Sequence, residues 1–198
     1  MKEPSKPGST WLMPSVGIPL QRATFESDTP MELVPTAAMK RPRHASVMAS
    51  PALNKGRWSE KGACYVVTVV TASRAPWFRE PRPAHCIAGE LKRCDDEERL
   101  RSLAWVVMPD HVHWLFELGD GSISQCLQAF KSRSARAVNE IVGRAGPVWQ
   151  AGFYDHRVRD HEDLRAQARY IVHNPLRRGL VERLDHYPHW HCEWPVDA

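Results

Sequence analysis

The sequence predicts an α+β domain organised around an antiparallel sheet, and three observations carry that prediction. Residues 63–71, Ala-Cys-Tyr-Val-Val-Thr-Val-Val-Thr, are dense in β-branched side chains and end at a polar break, the pattern of a buried strand. Two further strand-like segments, 103–108 and 111–117, are separated only by Pro109-Asp110, which is turn chemistry and makes them a hairpin. Between and after these strands lie segments whose apolar residues recur at three and four, the period of an amphipathic helix.

Taken in order, residues 1–58 hold eight of the sixteen prolines and keep no helical or strand period. They read as a disordered, Pro-rich basic extension preceding a folded domain over 59–198. The small cluster Lys40-Arg41-Pro42-Arg43-His44 reads as a solvated linker, with a nucleic-acid backbone-contacting arm as the alternative. The extension carries eight Lys/Arg against four Asp/Glu, whereas 59–198 carry nineteen of each. The formal charge of +4 therefore belongs to the extension, and a nucleic-acid role for the domain must rest on local chemistry.

Order is expected from Lys61. After the first strand comes a loop with Pro76, Pro81 and Pro83. Ile87, Leu91 and Cys94 then mark a short helix that runs into Asp95-Asp96-Glu97-Glu98. Following the hairpin, a Gly119-Asp120-Gly121 turn leads to Ser122, a suitable N-cap. Ile123, Leu127, Phe130, Ser134, Ala137, Val138 and Ile141 extend a helix for about five turns, which the glycines at 143 and 146 end. Residues 153–158 alternate weakly and predict a fourth strand. Asp160, with Asp163 three residues on, caps a last helix that stops at Asn174 because Pro175 disfavours the α conformation before it. The order β-α-β-β-α-β describes a ferredoxin-like antiparallel sheet with helices on one face and the other face open. An additional C-terminal helix follows.

No run approaches the roughly 20 apolar residues needed to cross a bilayer, and the N-terminus lacks signal-peptide layout. Five cysteines without CxxC spacing disfavour a disulfide framework or a cysteine zinc site and suit a reducing cytoplasm.

Candidate chemistry centres on Met108-Pro109-Asp110-His111-Val112-His113. Strand side chains alternate, so His111 and His113 project from one face while Val112, Trp114 and Phe116 project from the other. Two imidazoles side by side on the open face are placed to hold a divalent metal; a structural pair satisfied by neighbours is the competing account. An HxHxD site fails because position 115 is Leu. On the last helix Tyr170 and Asn174, at i and i+4, share a face distinct from the Leu164, Ala168, Ile171 stripe expected to pack. A phenol beside a carboxamide, presented to a histidine pair, combines nucleophile and ligand. The metal would polarise a phosphate, held by both imidazoles and the Asn174 oxygen, and Tyr170 would attack phosphorus. That ligand set accepts Mg²⁺ or Mn²⁺. Tyr154 is the rival nucleophile, with a packing role as its alternative.

These residues also match a known pattern. Residues 108–113, then Val148-Trp-Gln-Ala-Gly-Phe-Tyr-Asp-His156, then Tyr170-Ile-Val-His-Asn-Pro175 with Gly179-Leu-Val181, resemble the motifs of the REP-associated tyrosine transposases, a group within the single-tyrosine HUH transposases. The resemblance spans about 60–190. It implies a metal-dependent endonuclease and strand transferase acting on single-stranded DNA, with hairpins of repetitive extragenic palindromes as its targets. It implies a 5′-phosphotyrosine intermediate on Tyr170, His111 and His113 as metal ligands and Asn174 as the third, a position where the wider group often carries Gln. It allows a monomer or a homodimer, and a bacterial cytoplasmic, nucleoid-associated setting. A non-catalytic nucleic-acid-binding module of the same fold is the alternative function.

Lys131, Arg133 and Arg136 on the long helix, Arg165 and Arg169 on the last, and Arg177 and Arg178 after it are candidates to track phosphates. Arg177 and Arg178 stand nearest the motif. His186, His189, His191 and Cys192 fit no zinc spacing and read as a polar C-terminus.

Overall fold

A computed structural model describes residues 59–159 and 161–196. The Pro-rich extension over 1–58 and the Asp160 cap lie outside the described residues. Five strands are present: β1 (Cys64–Val70), β2 (Leu100–Met108), β3 (His111–Leu118), β4 (Tyr154–Val158) and β5 (Trp190–Cys192). The helices are α1 (Pro81–Asp96), α2 (Ile123–Val142), α3 (His161–Val172) and the single turn α4 (Asn174–Arg177).

The sheet order is β4-β1-β3-β2-β5, and every neighbouring pair is antiparallel. The first four strands have the ferredoxin-like arrangement expected from the sequence. β3 is central, paired on both sides, and its period-2 alternation divides the molecule. Val112, Trp114, Phe116 and Leu118 join Val67 and Val69 of β1, Ile87 and Leu91 of α1, and Leu127 and Phe130 of α2 in the larger core. Leu115 on the opposite face joins Val106 and Met108 of β2 and Leu164, Ala168 and Ile171 of α3 in a second core.

The second face therefore departs from the expectation of an open surface. The predicted α3 stripe packs, but it packs onto that face, and Leu184, Tyr187 and Trp190 extend the cover. β5 was not foreseen; its three residues add to the β2 edge, too short a run to show a period in sequence. α1 begins at Pro81 rather than beyond Pro83, since the first turn of a helix has no acceptor for the N–H that proline lacks.

α2 starts as predicted, with Ser122 and Gln125 forming a reciprocal capping box, and ends at Gly143 in the left-handed region (φ 64°), where glycine has no Cβ penalty. Among the described residues no helix is long and apolar enough to cross a membrane.

Candidate nuclease site

The hairpin turn fixes the site. The Asp110 carbonyl accepts from both the Thr71 amide (2.9 Å) and the Thr71 hydroxyl (2.9 Å), and the Pro109 carbonyl accepts from the Phe78 amide. The turn is thus tied to the end of β1. His111 and His113 leave it on the α3 face, across from Met108 and Val106 of β2 and Val70 and Thr68 of β1.

The two imidazoles converge. Their Nε2 atoms are 3.1 Å apart, while each Nδ1 has a separate partner: Asp110 Oδ1 for His111 at 2.5 Å and Thr68 Oγ1 for His113 at 2.8 Å. With both Nδ1 atoms protonated toward those oxygens, both Nε2 lone pairs point into one space. Two such lone pairs repel unless a proton or cation lies between them, and ligand nitrogens at right angles on a cation at about 2.1 Å would stand about 3 Å apart. The pair fits a metal ion on this ground. Asp110 is itself anchored by Arg74 Nη1 at 3.0 Å. Among the described residues no group of three or more His, Cys, Asp or Glu side chains is placed to hold a metal ion.

Electrostatics keeps the imidazoles neutral. His111 is buried, with 6% of its surface exposed, against the half-exposed position the alternation implied. Burial lowers its pKa below the ordinary value despite the opposing pull of Asp110. His113 is pushed down to about 3 by burial first, then by His111 and the cationic Arg178 and Arg177. Partial burial works to raise the Asp110 carboxyl, but its bonds to His111 and Arg74 outweigh this and hold it below the usual range.

Tyr170 and Asn174 form a second cluster. The phenol is 55% exposed and its ring lies under the Arg177 guanidinium, 3.8 Å from centroid to Cζ. Asn174 is buried; its Nδ2 donates to the Ile171 carbonyl at 2.9 Å and the Tyr170 carbonyl at 3.1 Å. Pro175 has no N–H to give Ile171 four residues back, and the Asn174 amide supplies the missing donor. The helix is accordingly broken at His173, not continuous to Asn174. With its NH₂ so engaged, the Asn174 Oδ1 makes no hydrogen bond among the described residues. No hydrogen bond joins Tyr170 or Asn174 to either histidine there. The two clusters are neighbours through Arg177 and Arg178, whose charge acts on His113.

The long-helix cations stand elsewhere. Lys131 Nζ donates to the Gln150 carbonyl at 2.5 Å and the Gly152 carbonyl at 2.7 Å, and burial lowers its pKa. Arg133 is held between helices by Glu90 (2.8 Å) and Glu97 (3.2 Å). Both differ from the phosphate-tracking role expected of them because their donors are engaged inside the fold, on the side away from the histidines. Arg136 is exposed on the same helix.

The family model described as "Transposase IS200 like" matches residues 60–174, more than half of the chain and both clusters. The chain belongs to the IS200-like transposase family. That places it among DNA-processing enzymes. Over 145 residues it is 26% identical to a REP-associated tyrosine transposase of Haemophilus influenzae, covering 65% of this chain and 79% of that protein. Over 87 residues it is 31% identical to the REP-associated tyrosine transposase of Escherichia coli K12, covering 43% of this chain and half of that one. A solved structure of a REP-associated tyrosine transposase bound to a REP hairpin superposes with a TM-score of 0.54 at 24% identity, covering 71% of this chain and 90% of that one; it shows the shared fold.

In this transposase the sequence reading missed the second layer of the histidine site. Asp110 was visible as a turn residue, and its position immediately before His111 was the available signal for an Nδ1 partner. Thr68 and Arg74 carried none, since only strand register and the β1-to-turn contact bring them there.

Proposed function

We propose that this transposase is a metal-dependent endonuclease and strand transferase for single-stranded DNA, with Tyr170 as nucleophile. The observation that carries the reading is the convergence of the two Nε2 atoms at 3.1 Å with both Nδ1 atoms already engaged. On this reading a cation takes the place of the proton that the two Nε2 atoms would otherwise share. A divalent cation, Mg²⁺ or Mn²⁺, would be held by His111, His113 and the Asn174 carbonyl oxygen, and it supplies polarisation of the scissile phosphate.

The chain's own groups do the rest. Asp110 and Thr68 hold the imidazoles in the Nδ1–H form, and the depressed pKa values keep both Nε2 atoms free of protons at neutral pH. Tyr170, exposed on the helix that covers this face, offers its Oη to the phosphorus while its proton passes to solvent. The new P–O bond forms as the P–O3′ bond breaks, and the departing strand takes up a proton as a 3′-OH. The 5′-phosphate stays on the tyrosine until another 3′-OH attacks it, which regenerates the phenol and rejoins DNA. Arg177, packed over the Tyr170 ring, and Arg178 place positive charge beside the phosphate. By analogy with the protein in the hairpin complex, the substrate is a strand that folds into a palindromic hairpin.

The test is covalent capture. Hairpin-containing single-stranded oligonucleotides with Mn²⁺ should give a DNA adduct that survives a denaturing gel and maps to the Tyr170 peptide. Tyr170→Phe should abolish it. An adduct that persists in Tyr170→Phe and vanishes in Tyr154→Phe would overturn the assignment.

A further inference from the structure

The α3 face carries a second tyrosine that the proposed chemistry does not use. Thr68 of β1 pairs with His113 on one side and with Tyr154 of β4 on the other. Directly paired residues share a sheet face, so His113, Thr68 and Tyr154 form one row. Tyr154 stands two strand spacings, about 10 Å, from His113. Its neighbour Phe153 packs on the opposite core, as alternation requires. Tyr154 is 56% exposed, and with Tyr170 it is one of two exposed tyrosines among the described residues. Both lie on the face of the histidine pair.

A single exposed tyrosine needs no explanation; its surroundings do. Tyr154 closes a small cleft lined by Thr68, Val70, Gln150, Gly152 and Phe153. Gln150, Gly152 and Phe153 also line a groove of about 710 Å³ bounded by α2 and the segment before β4. The shared wall is held in place. Gln150 N donates to the Val70 carbonyl at 2.8 Å, and Lys131 ties the Gln150 and Gly152 carbonyls to α2. Gln150 keeps a carboxamide with no hydrogen bond among the described residues, free to meet a base edge. A flat ring, a free amide and a rigid wall on the face of the histidine pair match an unpaired nucleotide.

We propose that Tyr154 is a stacking platform for an unpaired nucleobase next to the scissile phosphate, with Gln150 lining the same cleft. This rests on the nuclease reading for its geometry. In this role Tyr154 positions the strand; its hydroxyl does no chemistry, so Phe should replace it and Leu should not.

Because stacking tolerates any base, the probe is a twelve-residue oligo(dT) carrying 5-iodouracil, bound to Tyr170→Phe protein and irradiated. Cross-linked peptide should map to Tyr154. In the same background Tyr154→Ala should weaken oligo(dT) binding about tenfold, as for the loss of one stacked base, with Phe and Trp variants near the parent and Leu near Ala. Equal binding by the Leu and Phe variants, or cross-links confined to other peptides, overturns the platform. The covalent-capture assay on wild-type protein keeps the two readings apart. An adduct on Tyr170 without a Tyr154 cross-link removes the platform alone. A Tyr154 cross-link without any adduct removes the nuclease reading and leaves the platform as a binding site.

Discussion

Asp110→Asn isolates the orienting layer of the histidine site. In the wild type one carboxylate oxygen meets His111 Nδ1 at 2.5 Å and the other meets Arg74 at 3.0 Å. Asparagine has only one carbonyl oxygen for these two donors. The guanidinium cannot release its hydrogen, so Oδ1 goes to Arg74 and the NH₂ turns toward His111. Nδ1 must then accept, the ring proton moves to Nε2, and the lone pair required by a metal is lost. The bond removed is charge-assisted, worth about 2 kcal/mol, which is about thirtyfold in affinity and within the range for losing a partner of a ligating histidine. Mn²⁺ binding followed by electron paramagnetic resonance of the free ion should show that loss at pH 7.5. Thr68→Val removes a neutral bond and should cost nearer fivefold. The Asp110 carbonyl still accepts from Thr71 in the variant, so the turn should survive, as a thermal melt would show. Unchanged Mn²⁺ affinity in Asp110→Asn, beside lost binding in His111→Ala, would refute the orienting role.

The remaining expectations are these. Arg178→Ala should reduce the slope of log affinity for single-stranded DNA against log salt by roughly 0.7, one phosphate contact, whereas Arg133→Ala should leave that slope unchanged and lower the melting temperature instead. Lys131→Met leaves two carbonyls without their donor and should destabilise the fold by about 1–3 kcal/mol, read as a shift in urea midpoint. Asn174→Ala should cost a similar amount by stripping the donor from Ile171. Asn174→Asp should retain more Mn²⁺ affinity than Asn174→Ala if position 174 contributes an oxygen ligand, and equal affinity of the two argues for a purely helix-capping role. In metal-free protein the unfolded chain takes up protons near pH 6.5 that His113 refuses until about 3. Stability should therefore fall as pH drops below 6.5, by up to about 1.4 kcal/mol per pH unit for that group. His113→Asn should flatten the dependence in urea titrations between pH 7 and 4.5.

What could be read from the sequence was whatever depends on neighbours along the chain. The same-face placement of His111 and His113 follows from strand period alone. The Ser122 cap follows from Gln125 three residues on, and the packing stripe of α3 from Leu164, Ala168 and Ile171. What could not be read depends on register and on which face a helix chooses. Nothing local says that Thr68 lies beside both His113 and Tyr154. Nothing local says that the α3 stripe covers the face with the histidines, which is why His111 is buried and His113 half-buried and why His113 resists protonation. Lys131 and Arg133 look like any helix cations until Gln150, Gly152, Glu90 and Glu97 arrive from distant segments. The Asn-Pro pair was read as a helix stop, and its second meaning, an amide standing in for the proline's missing N–H, becomes visible only in three dimensions.

The two clusters are built to different standards of fixity, and that difference bears on mechanism. The histidines sit on β3, paired on both sides, behind a turn held by Thr71 and Phe78, with every Nδ1 engaged; they are placed before any substrate arrives. Tyr170 sits in the last turn of a helix that breaks three residues later, with a solvent-facing ring packed against the long side chain of Arg177. On the proposed mechanism the tyrosine would first attack, then carry a strand, then release it to a second 3′-OH, which needs freedom to move while the phosphate stays in register. The Asn174 bonds to Tyr170 O and Ile171 O limit that freedom to the side chain, because they hold the backbone on which the tyrosine pivots. On the proposed mechanism Asn174 would serve cleavage twice: its NH₂ fixes the helix end, and its side-chain oxygen would be left for the cation.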